Sequence, residues 1–249
     1  MPSKYTALTG LLILIALYAA TNLGYLGPNP IGSTSRATAP LIVPLGYAFA
    51  IWGPIYLGLI VFPIYQPFKD NRDAPRWDMV RNWYAANVIA NGVWLALASY
   101  DATWSTVAVI AFMLFSLYRI NVLLDELRAA GEPVNYWAEV LVFRVYFGWV
   151  TLATVLNVAS DLKFSGWDGG SFGEVNWTVV MMVVAAGIAW LTAWRFRSAP
   201  YALVVVWAFV ALSLKHDESI MLLTYLAAAV AALFTALAIK FLLSRRATS

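Results

Sequence analysis

The chain contains no cysteine and a single histidine among its 249 residues. The first absence excludes disulfides, thiolate metal sites and thiol redox chemistry. The second leaves little for ligating a metal or a heme iron. Charge is also scarce: Asp, Glu, Lys and Arg make up 12% of the residues, about half of what a soluble domain carries. No cluster of Lys and Arg with interleaved aromatics stands outside the apolar blocks, so nucleic acid is not an expected partner. Hydrophobic residues, by contrast, reach 62%, a composition that belongs in a lipid bilayer. They run in long continuous blocks rather than alternating with polar residues, which excludes a strand-built barrel.

A membrane-crossing helix needs about 20 largely apolar residues. Blocks of that kind lie near 7–26, 44–65, 80–99, 102–124, 134–159, 175–194, 199–214 and 220–243, and the seventh is short for a full crossing. The fold expected is therefore an all-α integral membrane protein with eight crossings. Lys4 ahead of a leucine-rich stretch would also suit a signal peptide. The run is long enough to span, however, and no A-x-A site follows it, so a retained span is expected. Twelve of the sixteen basic residues fall in one alternating set of connections and ends, Arg36, Lys163 and Lys215 fall in the other, and Arg144 lies inside a span. Basic residues are retained on the cytoplasmic side. The split thus predicts a multi-pass protein of a bacterial inner membrane with both termini cytoplasmic.

The outer connection 27–44 carries four prolines and two glycines and reads as a semi-rigid lid. The connection 66–78 mixes acids and bases and reads as a solvated hairpin at headgroup level. A glycine-rich stretch, 160–176, separates the first five spans from the last three, and the internal boundary is expected there, between 1–163 and 164–249. No inverted repeat is visible.

Of twelve tryptophans, Trp77, Trp83, Trp104, Trp137, Trp167, Trp177 and Trp194 lie near span ends, where an indole anchors well among headgroups. Trp52, Trp94, Trp149, Trp190 and Trp207 lie deeper, and an indole N–H in hydrocarbon needs an acceptor. Some of the deep rings belong to stripes. Trp52 and Tyr56 are one helical turn apart; Tyr84, Asn87, Asn91 and Trp94 follow at steps of three or four; Tyr146, Trp149, Ala153 and Asn157 do the same. Residues at that spacing share a helix face. Buried amides can simply join helices, yet close seams are made by small residues rather than indoles. Flat rings with hydrogen-bonding edges suit a flat, mostly apolar ligand with a few polar substituents.

Three segments carry a family resemblance. Pro44-Leu-Gly-Tyr-Ala-Phe49-Ala-Ile-Trp52-Gly-Pro-Ile-Tyr56 resembles the Pro-x-x-x-x-Phe…Trp-x-x-x-Tyr signature of the TspO/MBR proteins, also called tryptophan-rich sensory or translocator proteins. Asn91-Gly-Val-Trp94 is similar to that family's Asn-x-x-Trp. Tyr146-Phe-Gly-Trp149-Val-Thr-Leu-Ala153-Thr-Val-Leu-Asn157 resembles its Tyr-x-x-Trp-Val-x-x-Ala-Thr-x-Leu-Asn. The resemblance covers about residues 8–163 and implies a five-helix bundle, so the last three helices would be an extension. It further implies binding of tetrapyrroles, porphyrin or heme, as ligands rather than as an obligatory cofactor. The wall of such a site would be Trp52, Tyr56, Asn91, Trp94, Tyr146, Trp149, Ala153 and Asn157; Asn87 joins them by helical spacing. A homodimer is compatible with the resemblance. Val145 stands where the family usually has proline, the outer loop lacks the tryptophan often found there, and the sterol-associated pattern is incomplete.

The expected function is that of a membrane-embedded binding or sensory protein for a hydrophobic small molecule, without obligatory catalytic residues. The alternatives are an enzyme that degrades or modifies a bound porphyrin and, less favoured for want of paired buried charges and internal symmetry, a transporter. Arg144 is the one basic residue within a span, with Glu139 as its nearest acid in sequence. His216 is expected to be a solvated loop residue, beside Asp217 and Glu218, and Lys240 to snorkel to the interface.

Overall fold

The computed structural model describes residues 5–29, 39–68, 75–101, 103–216 and 220–246. They form eight α-helices and, among the described residues, no strand: α1 Thr6–Asn22, α2 Trp52–Tyr65, α3 Pro75–Ser99, α4 Thr103–Ala129, α5 Leu141–Phe164, α6 Glu174–Phe196, α7 Ala199–His216 and α8 Met221–Arg246. Each of the eight apolar blocks is matched by one helix. Six of the helical segments are long and apolar enough to cross a bilayer; α1 is shorter, and α3 is not among the six. The short seventh block is one of the six, because its helix extends over 18 residues, a rise of about 27 Å. The chain is thus an all-α, multi-pass integral membrane protein.

The chain divides into two compact units. Unit 1 comprises Met1–Ala37 with Gly53–Phe147, and unit 2 comprises Thr38–Trp52 with Gly148–Ser249. The dividing point lies inside α5.

Within unit 1, α3 packs on α1 and α4. A Cβ placed on Gly10 would lie 2.7 Å from the Cα of Ala85, and one on Gly92 would lie 2.7 Å from a methyl of Leu17. These glycines let α1 and α3 approach at backbone distance, the small-residue seam of membrane helices. The polar content that keeps α3 from resembling a simple span is turned inward: Arg81, Asn87 and Asn91 are all buried. Trp77 is buried too, so it is no headgroup anchor. Trp104, Trp137, Trp167 and Trp194 are exposed as expected of anchors.

A π-helical turn, Tyr136–Val140, leads into α5. The Asn135 side chain caps it, accepting from the N–H groups of Trp137 and Ala138 at 2.9 and 3.0 Å. Glu139 accepts in return from the Asn135 N–H at 2.6 Å. This is the reciprocal logic of a capping box, with the acid at the fourth rather than the third helical position.

In unit 2, α6 and α7 are joined by two residues. Arg197 adopts a left-handed φ of 43°, which ends α6, and the Ser198 hydroxyl accepts from the Tyr201 N–H at 3.3 Å to start α7, with Pro200 in its first turn, where its missing N–H costs nothing. The α5–α6 connection is braced by an ion pair between Lys163 and Glu174 at 2.5 Å. Helices α7 and α8 pack along most of their length, with Ala202, Ala208 and Ala211 buried on one and Ala227, Ala231 and Ala238 on the other.

Candidate functional site

Five of the nine residues singled out from the sequence lie in unit 1: Tyr56, Asn87, Asn91, Trp94 and Tyr146. The structure brings three of them together. Asn91 accepts from the Tyr56 hydroxyl at 3.2 Å and donates through Nδ2 to the Tyr146 oxygen at 2.8 Å. One amide thereby joins α2, α3 and α5, with Asn91 and Tyr146 fully buried. Tyr18 of α1, absent from the expected set, meets Tyr56 edge-on at 6.1 Å. Below this group, Tyr84 donates to the Leu59 carbonyl at 2.5 Å and packs with Phe62 and Phe143.

Asn87 does not join the group. Its Nδ2 donates to the Met113 carbonyl at 3.1 Å and to the Ser116 hydroxyl at 2.7 Å, so it fastens α3 to α4. One step along a helix of 3.6 residues per turn is enough to turn an amide from one neighbour to another. Trp94 is half-buried on the same helix.

The other four residues, Trp52, Trp149, Ala153 and Asn157, lie in unit 2. Trp149 is buried, and the edges of two rings pack against it: Phe49 at 5.5 Å and Trp52 at 6.4 Å between centroids, both nearly perpendicular. Its indole Nε1 is buried and has no hydrogen-bond partner among the described residues. Ala153 is half-buried one turn on, and Asn157 reaches Asp161 at 3.4 Å. Phe49 was missed as a site residue, although it is the aromatic of the Pro-x-x-x-x-Phe segment.

The segment carrying Phe49 and Trp52 is held by α7. Lys215 Nζ donates to the carbonyls of Pro40, Leu41 and Val43 at 3.4, 3.4 and 2.6 Å. His216 Nε2 bonds the Leu41 carbonyl at 2.8 Å, and Trp207 Nε1 donates to the Ala48 carbonyl at 2.9 Å. His216 is therefore buried and engaged rather than solvated, because the incoming strap offers it a backbone oxygen. Asp217 and Glu218 lie outside the described residues, as does 30–38, the central part of the expected lid.

Charged groups also depart from expectation. Arg144 pairs with Asp125 of α4, an acid brought to it by tertiary packing from the preceding helix. Glu139 is itself buried and accepts from Gln66 Nε2 at 2.5 Å, while Arg81 reaches Gln66 and Asp78 at 3.3 and 2.8 Å. The two arginines are thus buried while their acid partners Asp78 and Asp125 remain partly exposed.

Two clefts in unit 2 are lined by other residues than the nine. One, bounded by Pro40, Lys163, Trp167, Glu174 and Trp177 among others, offers about 10 Å³, room for a single water. The second is a surface groove on α6.

A family model described as TSPO-like protein matches residues 4–240. The chain belongs to the TSPO-like family. The match extends through α6 and α7 and most of α8, helices for which the TspO/MBR resemblance of the first five spans offered no counterpart. No curated protein and no solved structure matches this TSPO-like chain.

Proposed function

We propose that this TSPO-like chain is a membrane-embedded binding or sensory protein for flat, mostly apolar ligands bearing a few polar groups, with porphyrin or heme foremost. The observation that carries the reading is the Trp149 indole: a buried donor without an acceptor among the described residues, framed by the edges of Phe49 and Trp52. A buried N–H left unpaired costs about 1–3 kcal/mol. A ligand that brings an acceptor to it recovers that cost on binding, and the surrounding rings supply apolar area. The Tyr56–Asn91–Tyr146 chain supports the same reading as a second set of donors and acceptors within the bilayer.

Titration of protoporphyrin into the purified full chain, followed by tryptophan quenching in darkness and under illumination, tests the proposal. Saturable quenching with unchanged pigment is expected. Trp149→Phe keeps most of the ring area but deletes the donor, and should weaken binding about tenfold, the worth of one good hydrogen bond. Loss of pigment that requires Trp149 would instead establish the enzyme reading. Affinity unaltered by substitution of Trp52 and Trp149 would refute the site.

A further inference from the structure

The basic residues of the two units are treated differently by the fold. In unit 1 the cations on α3 and α5 have acids: Arg76 with Glu126, Arg81 with Asp78, and Arg144 with Asp125. In unit 2, Lys163 pairs with Glu174, but where α6 and α8 end side by side Arg195, Arg197 and Lys240 have no ion pair among the described residues. The sequence holds no Asp or Glu between Val175 and His216, nor from Ile220 to the end, yet Arg195, Arg197, Lys240, Arg245 and Arg246 lie in those stretches.

The surface beside those cations is built for more than a generic apolar contact. Trp190 and Trp194 stack at 5.9 Å with an interplanar angle of 19°. Phe234 and Phe241 of α8 back them from behind. A groove of about 350 Å³, bounded by Trp190, Leu191, Trp194 and Arg195, runs along this face. Lys240 Nζ lies 4.4 Å from the centre of the Trp194 ring, and Arg195 is exposed at the end of the groove. Neither cation has an ion-pair partner among the described residues.

We propose that this groove binds one anionic phospholipid of the leaflet facing the C-terminal ends of α6 and α8. Its phosphate sits between Arg195 and Lys240, and an acyl chain lies along Trp190, Leu191 and Trp194. Charge complementarity selects the occupant: a zwitterionic headgroup brings an ammonium beside two cations that have no ion pair among the described residues, whereas an anionic one brings only charges that the site attracts. Basic pockets between membrane helices recognise anionic headgroups on this principle, each cation near the surface contributing about a fivefold gain in affinity.

Native mass spectrometry of the full chain, titrated with dioleoylphosphatidylglycerol or dioleoylphosphatidylcholine in the same detergent, reads the site directly. The phosphatidylglycerol adduct should saturate at one per chain and form at least tenfold more readily than the phosphatidylcholine adduct. Arg195→Gln and Lys240→Gln should each lower phosphatidylglycerol affinity about fivefold and together about twenty-fivefold, with phosphatidylcholine unaffected. Arg195→Lys should retain most of the preference. Both side chains are exposed, and an unchanged circular dichroism spectrum verifies that the variants fold. Equal retention of the two lipids by the unsubstituted chain, or an undiminished preference in the double variant, would overturn the proposal.

Discussion

Two asparagines one turn apart on α3 show how much depends on a single side-chain direction. Asn87 bonds Met113 and Ser116 of α4, whereas Asn91 bonds Tyr56 and Tyr146. Interhelical bonds of this kind contribute roughly 0.6 kcal/mol on average and up to about 1.7. Asn87→Ala is expected to lower the thermal midpoint in detergent while leaving porphyrin affinity unchanged. Asn91→Ala is expected to lower both, so measuring the two quantities on the two variants separates joinery from binding. Gly27 is a residue of another kind. It holds a φ of +83°, and a Cβ there would meet the Ser99 hydroxyl at 1.8 Å, where that hydroxyl donates to the Leu26 carbonyl at 3.0 Å. Gly27→Ala should therefore cost about 1–3 kcal/mol from the backbone conformation alone, with displacement of Ser99 in addition. The check is a larger loss of unfolding free energy in urea for Gly27→Ala than for Gly24→Ala, because Gly24 has a similar φ of +79° but nothing lies within 4 Å of a Cβ there.

At the scale of the element, the strap that precedes α2 depends on α7 for its position. Three backbone carbonyls converge on Lys215, a fourth contact comes from His216, and Trp207, about two turns earlier on α7, holds Ala48. Lys215→Met leaves those carbonyls without their donor, at about 1–3 kcal/mol. Hydrogen exchange of the amides between residues 41 and 48 should accelerate about tenfold or more, while amides of α8 keep their protection. Trp207→Phe should act in the same direction, and the double variant should fall short of the sum, since both residues hold one segment. Little of this was legible beforehand. Helix positions were, because eight apolar blocks of sufficient length have only one way to satisfy their backbone in lipid. The Trp52–Tyr56 and Tyr146–Trp149 stripes were legible as spacing. The partners of Lys215, His216 and Trp207 were not, because they are backbone oxygens about 160–175 residues away, and a carbonyl leaves no trace in residue identity. Arg144 was legible as an intramembrane charge, but its partner Asp125 was not, because tertiary packing supplies it from another helix.

For the whole molecule, the arrangement in the membrane turns on α1 and α3. Six segments qualify as spans by length and hydropathy, and both remaining helices pack together through the Gly10 and Gly92 contacts. A polar helix is acceptable inside a bilayer when its polar face is enclosed by neighbours, and Arg81, Asn87 and Asn91 on α3 are enclosed. The 25 residues of α3 rise about 37 Å, more than the hydrocarbon thickness of about 30 Å. We propose that both helices cross, giving eight spans, and that the basic residues beside α6 and α8 lie on the cytoplasmic side with both termini, as the distribution of Lys and Arg predicts. Alkaline-phosphatase fusions placed after residue 249 and within the 165–173 connection distinguish this from its inverse. The expected result is an inactive enzyme at the C-terminus and an active one in the connection. Activity at the C-terminus would mean that the termini face outward or that the count of crossings is odd, and a further fusion in the 130–135 connection, expected to be inactive, would locate the error to α1 through α4 or to α5 through α8.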